Sequence, residues 1–322
     1  MLLLRKSLFS PSLSRATSRF LTTQIPNSIE NEPSSAYYDR LIDAAGRERD
    51  FAAVHRLLNE RARDGFFNTT ETFKFISTHL SVLDDLLQTL ARLDKGFPRT
   101  DAHKSLIARL AKMGRADEAL RVADAMTAAG CGINASTFHP ILQALTKKKE
   151  IDRAWRVVDR MREKNVSPDL TGYNYFLTSY CFVGDLTSAA GLLTKMTDEG
   201  MEGDARTYDA LVLGACRTGK LDGALAVLRR TVELKVPLLY CTYAHVIGTM
   251  VRLGHYAQAV EFVKVCGGRE KGLDSANFGL LASRLIDKKE FDEAVVILEE
   301  MSRRDLQMSK RLKDFYQLHT QK

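Results

Sequence analysis

The residues of this chain that could do chemistry are few and weakly patterned. Residues 214–220, GACRTGK, have the spacing of a phosphate-binding loop. Leu221 follows them, however, where that motif needs a magnesium-binding hydroxyl, and no strand is predicted before them. The seven histidines show no HExxH or other metal-ligand spacing, and neither a carboxylate pair nor a nucleophile elbow occurs. The sequence therefore predicts no enzyme, no catalytic residue, no cofactor and no metal site.

The cysteines likewise do not predict a metal site. They lie at positions 131, 181, 216, 241 and 266, are odd in number and never form a CxxC pair. Scattered single cysteines are typical of reduced, packed thiols rather than of a disulfide framework or a zinc site.

Composition and charge limit the class of protein further. Of the 322 residues, 45% are hydrophobic and 27% are charged. This hydrophobic content is too high for a disordered chain. No apolar run approaches the roughly 18 residues of a membrane-spanning helix, so no membrane span is predicted. The formal net charge of +7 would by itself suggest an anionic partner. Four cations precede the first acid, Glu30, and without them 43 basic side chains face 40 acidic ones, a net charge of only +3.

The N-terminal segment has the composition of a targeting sequence. The first 29 residues carry four cations, many serines and no acid. This is typical of an organellar transit peptide, whereas the apolar run before Arg5 is too short for a secretory signal. The early Arg5-Lys6 pair and the sequence RFL at 19–21 favour the mitochondrial matrix, with the chloroplast as the alternative. We predict a transit peptide over residues 1–25 and a flexible lead-in over 26–34.

The rest of the chain is an internal repeat with a period of 35 residues. An aromatic residue, or in one case a histidine, heads each of eight units, and the spacing is 35 everywhere except for one spacing of 30. These residues are Tyr38, Phe73, His103, Phe138, Tyr173, Tyr208, Tyr243 and Phe278. The predicted units are 35–69, 70–99 (shortened), 100–134, 135–169, 170–204, 205–239, 240–274 and 275–309. Residues 310–322 are expected to form a basic helix that caps the last apolar face.

Each unit has the pattern of two helices joined by a turn. Apolar residues step by three and four, which is the spacing of one face of an α-helix, and in the fifth unit Gly184 separates two such stretches. One helical hairpin cannot bury its apolar faces alone. The sequence therefore predicts an all-α fold, an α-solenoid superhelix of about eight helix-turn-helix repeats with the first helices along its concave surface. We expect the shortened second unit to lose a turn near the junction of its helices.

The unit resembles the pentatricopeptide repeat. In the fifth unit the likeness is carried by Tyr173, the GDL turn at 184–186, Ala189 and the final Asp204. It recurs over 275 of the 322 residues, at the plain 35-residue length of the P class of plant-type organellar proteins. The tetratricopeptide repeat, the nearest alternative, has a 34-residue period and an early tryptophan, whereas Trp155 lies in a second helix.

The resemblance implies binding of single-stranded RNA, with one base read per unit. The implied readers are the fifth residue of the first helix and the last residue of the unit. Asn174 with Asp204 matches a known pairing that the resemblance connects with uracil, and His139 with Asp169 matches in part. The remaining pairs fit poorly, and they are Asp39 with Thr69, Lys74 with Arg99, Lys104 with Asn134, Asp209 with Leu239, Ala244 with Asp274, and Gly279 with Ser309. Base reading is therefore expected to be eroded.

A column of cations recurs more regularly along the units than the reader pairs do. Arg47, Lys112, Lys147, Arg217 and Arg252 share the thirteenth place of their units, near the end of the first helix, where the resemblance implies phosphate contact. Five cations in line would attract an RNA backbone with little regard to its sequence. They also suit the C-terminal ends of helices, where the helix dipole favours cations. The sequence leaves both interpretations open.

Two functions follow from these interpretations. The first is a single-stranded-RNA-binding protein that acts without catalysis in mitochondrial RNA metabolism, in transcript stability, processing or translation. The alternative is a structural subunit or assembly partner of the mitochondrial ribosome that contacts rRNA and mitochondrial ribosomal proteins. The usual role of the family favours the first function, whereas the poor reader pairs and the modest charge favour the second.

Overall fold

The computed structural model describes residues 33–77, 81–268 and 270–320, and these residues form helices and turns without any strand. The sixteen helices in these ranges are α1 (Ser35–Arg47), α2 (Phe51–Arg63), α3 (Leu83–Ala91), α4 (Phe97–Lys112), α5 (Ala116–Ala128), α6 (Ala135–Lys147), α7 (Ile151–Glu163), α8 (Leu170–Val183), α9 (Leu186–Asp198), α10 (Ala205–Arg217), α11 (Leu221–Glu233), α12 (Tyr240–Arg252), α13 (Tyr256–Cys266), α14 (Lys271–Lys288), α15 (Phe291–Arg303) and α16 (Lys310–Thr320). The predicted transit peptide lies outside the described residues.

The helices pair into hairpins that stack on their sequence neighbours. Helix α4 packs on α5, α6 on α7, α8 on α9, and α10 on α11. The first helices of successive units also contact one another in a row that runs α4, α6, α8, α10, α12, α14. Contact between neighbouring units alone is the mark of an α-solenoid. The predicted all-α solenoid is thus confirmed.

The turn between the two helices of a unit recurs with one backbone conformation. Its residue at the fifteenth place of the unit has a positive φ, which glycine adopts at little cost. Four of these residues are glycines and three are not: Gly114, Gly184, Gly219 and Gly254, and Arg49, Lys149 and Lys289. The geometry of the stack therefore sets this turn even where the residue type does not favour it.

The second helices carry a small residue at one equivalent place in six units. The alanine column of these helices is buried, with exposed fractions of 0–3%. It consists of Ala119, Ala154, Ala189, Ala224, Ala259 and Ala294. A close approach occurs between the first helices α8 and α10, where a Cβ on Gly214 would lie 2.9 Å from Cys181 Sγ. Close packing at these columns lets each hairpin bury its apolar faces against the next.

The second unit departs from the hairpin pattern. Its described residues 70–77 form turns and extended chain instead of a first helix, and its second helix, α3, has only nine residues. Phe73 and Ile76 anchor this segment in the core, and the Phe75 ring lies against Gly46 of α1, where any side chain would overlap it. In the described part of this unit the first helix is thus replaced and the second is shortened, whereas we expected the loss of one turn near the helix junction. As a result, α4 contacts α2 directly.

The last helix closes the stack. Helix α16 packs against α14 and α15 and buries Leu312. Among the residues that the structure describes, no helix combines the length and the apolar character needed to cross a membrane.

Candidate nucleic-acid interface

The best-matched reader pair is joined by a direct hydrogen bond. Asn174 lies in α8, and Asp204 is the N-cap residue of α10, the first helix of the next unit. Asn174 Nδ2 donates to Asp204 Oδ1 over 3.0 Å. The backbone N–H groups of Arg206 and Thr207 donate to the same oxygen, as an N-cap carboxylate requires. The pair that the resemblance implies is therefore brought together by the stacking of two units.

A buried threonine fixes the orientation of the Asn174 amide. Thr207 Oγ1 donates to Asn174 Oδ1 over 2.8 Å, so the amide nitrogen is turned towards Asp204. Asn174 is only 3% exposed, whereas Asp204 is half-buried. The Asp204 Oδ2 atom accepts no hydrogen bond from any described residue. The Asn174 amide is thus held against Asp204, whose Oδ2 atom keeps its capacity to accept a hydrogen bond.

Asp204 remains ionised over a wide range of pH. Burial by itself would raise its pKa, but hydrogen bonds from Thr207, Asn174 and the Arg206 backbone together lower the pKa below its ordinary value of 3.8. A fixed negative charge at this position favours N–H donors on the base.

The preceding unit repeats this arrangement with other residues. His139 of α6 lies with its Nε2 atom 2.8 Å from Asp169 Oδ1, and Asp169 caps the N-terminus of α8 by accepting from the Gly172 N–H. The His139 and Tyr175 rings also meet in a T-shaped contact, at 5.9 Å between centroids. Since the fourth and fifth units are adjacent, two carboxylates lie at equivalent places, at the N-termini of the successive first helices α8 and α10.

The first unit uses its reader pair for internal structure. Thr69 Oγ1 donates to Asp39 Oδ2 over 2.6 Å. Asp39 also pairs with Arg61 at 2.7 Å, and Arg61 is only 1% exposed. An ion held against a buried guanidinium is committed to the fold, so we assign no reading role to this pair.

Sequence reasoning missed a column of buried threonines at the third place of the units. Its members are Thr72, Thr137, Thr207 and Thr242. Three of them donate to the fifth-place residue of the preceding unit: Thr72 to Asp39, Thr207 to Asn174, and Thr242 to Asp209. The sequence did carry a signal for this column. The threonine recurs with the period of the repeat, at a place where the helical spacing predicts a core residue. These threonines therefore restrain the side chains at the fifth place of the preceding units.

The five cations of the thirteenth place all lie, exposed, at the C-terminal ends of first helices. They are Arg47 of α1, Lys112 of α4, Lys147 of α6, Arg217 of α10 and Arg252 of α12. The structure thus places all five cations at equivalent positions along the row of first helices.

These cations differ in their partners. Arg47 pairs with Asp43 of its own helix at 2.9 Å. Arg217 Nε and Arg252 Nη2 donate to main-chain carbonyls near the ends of the preceding first helices, at 3.0 and 2.7 Å. Lys112 and Lys147 make no hydrogen bond or ion pair with any described residue. The two arginines therefore support the helix-end interpretation, while the two lysines have the freedom that a phosphate contact needs.

An exposed aromatic ring interrupts this column. Phe182 occupies the thirteenth place of the fifth unit and is 44% exposed. Lys149 Nζ lies 4.2 Å and the Arg217 guanidinium carbon 4.5 Å from its ring centroid. An exposed ring beside cations can stack on an unpaired base. Sequence reasoning missed Phe182 because an isolated phenylalanine near a helix end carries no signal of its own.

Residues 214–220, which have the spacing of a phosphate-binding loop, lie at the end of α10 and in the turn that leads to α11. Gly214 belongs to α10 itself, and Gly219 forms the turn with φ of 73°. The glycines therefore serve helix packing and the interhelix turn.

Comparison with known proteins supports one family. Residues 101–260 match the family model of the pentacotripeptide-repeat region of PRORP. The fold is similar to the crystal structure of the pentatricopeptide repeat protein PPR10 from maize, with a TM-score of 0.55 and 21% identity, over 88% of this chain and 42% of the maize protein.

Two relatives from Arabidopsis thaliana are much more similar in sequence. Both are mitochondrial pentatricopeptide repeat-containing proteins. One is 56% identical over 301 residues, 92% of this chain and 85% of the relative. The other is 44% identical over 298 residues, 91% of this chain and 85% of the relative. The mitochondrial location expected from the leader composition is thereby confirmed, and the chain belongs to the pentatricopeptide repeat family.

Proposed function

We propose that this protein binds single-stranded RNA along the row of first helices in the mitochondrion, and that it acts by binding alone, without catalysis. The observation that carries this proposal is the pair of preformed contacts in adjacent units, Asn174 with Asp204 and His139 with Asp169. A solenoid of this family presents one base per repeat to such side chains. Two consecutive nucleotides would then be read at the centre of the row.

The chemistry of the fifth unit favours a base that offers an N–H donor. Asp204 Oδ2 can accept from the N3–H of uracil, whereas the N3 atom of cytosine is itself an acceptor and would face the carboxylate without a proton. Because Asn174 and Thr207 hold the carboxylate in place, little side-chain freedom is lost on binding. This supports the preference for uracil that the resemblance implies.

The remaining units support contact with the RNA backbone more than with bases. Leu239 and Ala244 offer no polar group to a base edge, and Asp39 is held by Arg61. Lys112 and Lys147 are exposed on the same row and available to phosphate oxygens, and Phe182 offers a stacking surface. We infer mixed recognition in which few bases are read and the backbone supplies most of the affinity.

The role in the organelle would be to protect, deliver or expose a segment of transcript, and thus to act in RNA stability, processing or translation. Crosslinking of the protein in mitochondria, followed by sequencing of the bound RNA, tests this directly. We expect one or a few transcripts to be enriched, with uracil at the site of crosslinking.

Two results would contradict this proposal. Recovery of no RNA would reduce the solenoid to a scaffold for proteins. Recovery of small-subunit rRNA alone, with cosedimentation of the protein and the small ribosomal subunit, would establish the ribosomal function instead.

A further inference from the structure

Three metal-ligating side chains from two successive units gather on the row of first helices. Asp209 belongs to α10, and Cys241 and His245 belong to α12. Cys241 and His245 are four residues apart, so they lie on the same face of one helix. One ligand atom from each of the three residues lies within 4.8 Å of the others.

The distances are close to those of a tetrahedral centre. Cys241 Sγ lies 3.3 Å from Asp209 Oδ1, and His245 Nε2 lies 3.8 Å from the same oxygen. Around a zinc ion with ordinary bond lengths, such ligand atoms are roughly 3.4–3.6 Å apart. The two distances to Asp209 thus lie within a few tenths of an ångström of those values, and the Cys241–His245 distance is at most 4.8 Å.

The surroundings support the three ligands. The side chains of Asp209 and His245 are 18% and 27% exposed, so that an ion can reach them from solvent. Thr242, which is fully buried, donates through Oγ1 to Asp209 Oδ1 over 2.7 Å. Such an outer hydrogen bond orients a carboxylate ligand and restricts its rotation.

We propose that Asp209, Cys241 and His245 form a binding site for a divalent transition metal ion of the zinc class. A thiolate, an imidazole and a carboxylate together suit zinc or cobalt, whereas magnesium and calcium require oxygen ligands. Three protein ligands leave a fourth position open to water or to an external ligand.

Binding would couple the sixth and seventh units. Without an ion, burial and the hydrogen bond to Asp209 raise the pKa of Cys241 to about 11, and the neutral thiol donates to the carboxylate. The ion takes Cys241 as a thiolate, and the thiol proton passes to water. The ion would occupy the reader position at which Leu239 cannot read a base. This proposal does not depend on RNA binding.

The test is a titration of the purified full chain with Co²⁺, after removal of bound metal by a chelator. We expect one equivalent to produce visible d–d bands and a thiolate-to-cobalt charge-transfer band, which Zn²⁺ then displaces. Cys241→Ser should abolish the charge-transfer band, and Asp209→Asn or His245→Gln should weaken binding at least about tenfold. Cys131→Ser is the matched control, because Cys131 is also a half-buried free thiol but lies in the link between α5 and α6.

A second measurement separates loss of the site from loss of the fold. Zn²⁺ should raise the Tm of the parent chain and of Cys131→Ser but not that of Cys241→Ser, while far-UV circular dichroism of all three stays the same. The proposal is overturned if no saturable one-equivalent binding occurs, or if the charge-transfer band survives in Cys241→Ser.

Discussion

Asn174 uses both ends of its amide within the protein, and this decides what it can do for a ligand. Its oxygen accepts from Thr207 and its nitrogen donates to Asp204, while almost none of the side chain is exposed. The Asn174 side chain, which the family pattern names as a reader, therefore has both polar ends hydrogen-bonded within the protein. The second oxygen of Asp204 accepts no hydrogen bond from any described residue, and we propose it as the acceptor for a base.

Asp204→Asn should change which base is preferred at one nucleotide. The amide that replaces the carboxylate can donate to the N3 atom of cytosine, so the preference for uracil over cytosine should fall by about tenfold, within the range of one specific base contact. Competition binding with oligonucleotides that vary at a single position measures this. Asp198→Asn, on the exposed end of α9, should leave the preference unchanged.

The same carboxylate links stability to pH. Because its pKa is lowered in the folded chain, Asp204 contributes stability above its ordinary pKa of 3.8, and this contribution is lost as the pH falls below that value. Asp204→Ala should therefore lower the free energy of unfolding by roughly 0.5–2 kcal/mol at pH 7 and by less at pH 3. Urea titrations at both pH values test this, and an equal loss at both would contradict it.

At the scale of helices, the approach of α8 to α10 depends on the missing side chain of Gly214. A Cβ there would also lie 3.0 Å from Cys181 Cβ and 3.1 Å from Leu186 Cδ2. Gly214→Ala should destabilise the chain by roughly 1–3 kcal/mol through overpacking. Gly191→Ala in α9, where nothing lies within 4 Å, should instead stabilise it by roughly 0.5–1 kcal/mol. Opposite signs in thermal unfolding are expected, and equal effects would exclude this account.

The interhelix turns store strain where they lack glycine. Lys289 ends α14 with φ of 67°, a left-handed conformation that costs an ordinary residue roughly 1–2 kcal/mol. Lys289→Gly should relieve part of this cost and raise the Tm. Lys288→Gly, one residue earlier and inside the helix, should lower it, since glycine is disfavoured there by roughly 1 kcal/mol. Calorimetry of the two variants would reject the idea if both lowered the Tm.

At the scale of the whole molecule, the row of first helices brings distant cations into line. Replacement of Lys112 and Lys147 by glutamine should weaken RNA binding uniformly across sequences and reduce the slope of log K against log salt by about 1.4, since each phosphate contact on a single strand contributes about 0.7. Arg156→Gln with Arg229→Gln removes the same charge from exposed places on second helices and is the matched control. An equal change of slope in both variants would indicate only a general charge effect.

Prediction from sequence succeeded where a property repeats. The alanine column, the Gly184 turn and the aromatic heads such as Tyr173 recur every 35 residues, so the helical hairpins and their stacking could be inferred from spacing alone. The second unit could not be read in this way. Its shorter spacing predicted a loss of structure, but only the structure shows that turns replace its first helix and that Phe75 of this segment packs against Gly46.

The sequence by itself determined the repeat, the all-α solenoid and the column of cations, because a periodic chain can bury its apolar faces only by stacking one unit on the next. Only the tertiary structure decided which polar groups are free. The hydrogen bond from Thr207 to Asn174, the ion pair of Arg61 with Asp39, and the meeting of Asp209 with Cys241 and His245 all join different helices. Their distances depend on how two helices pack against each other, and that packing is not encoded in the spacing of residues along either helix.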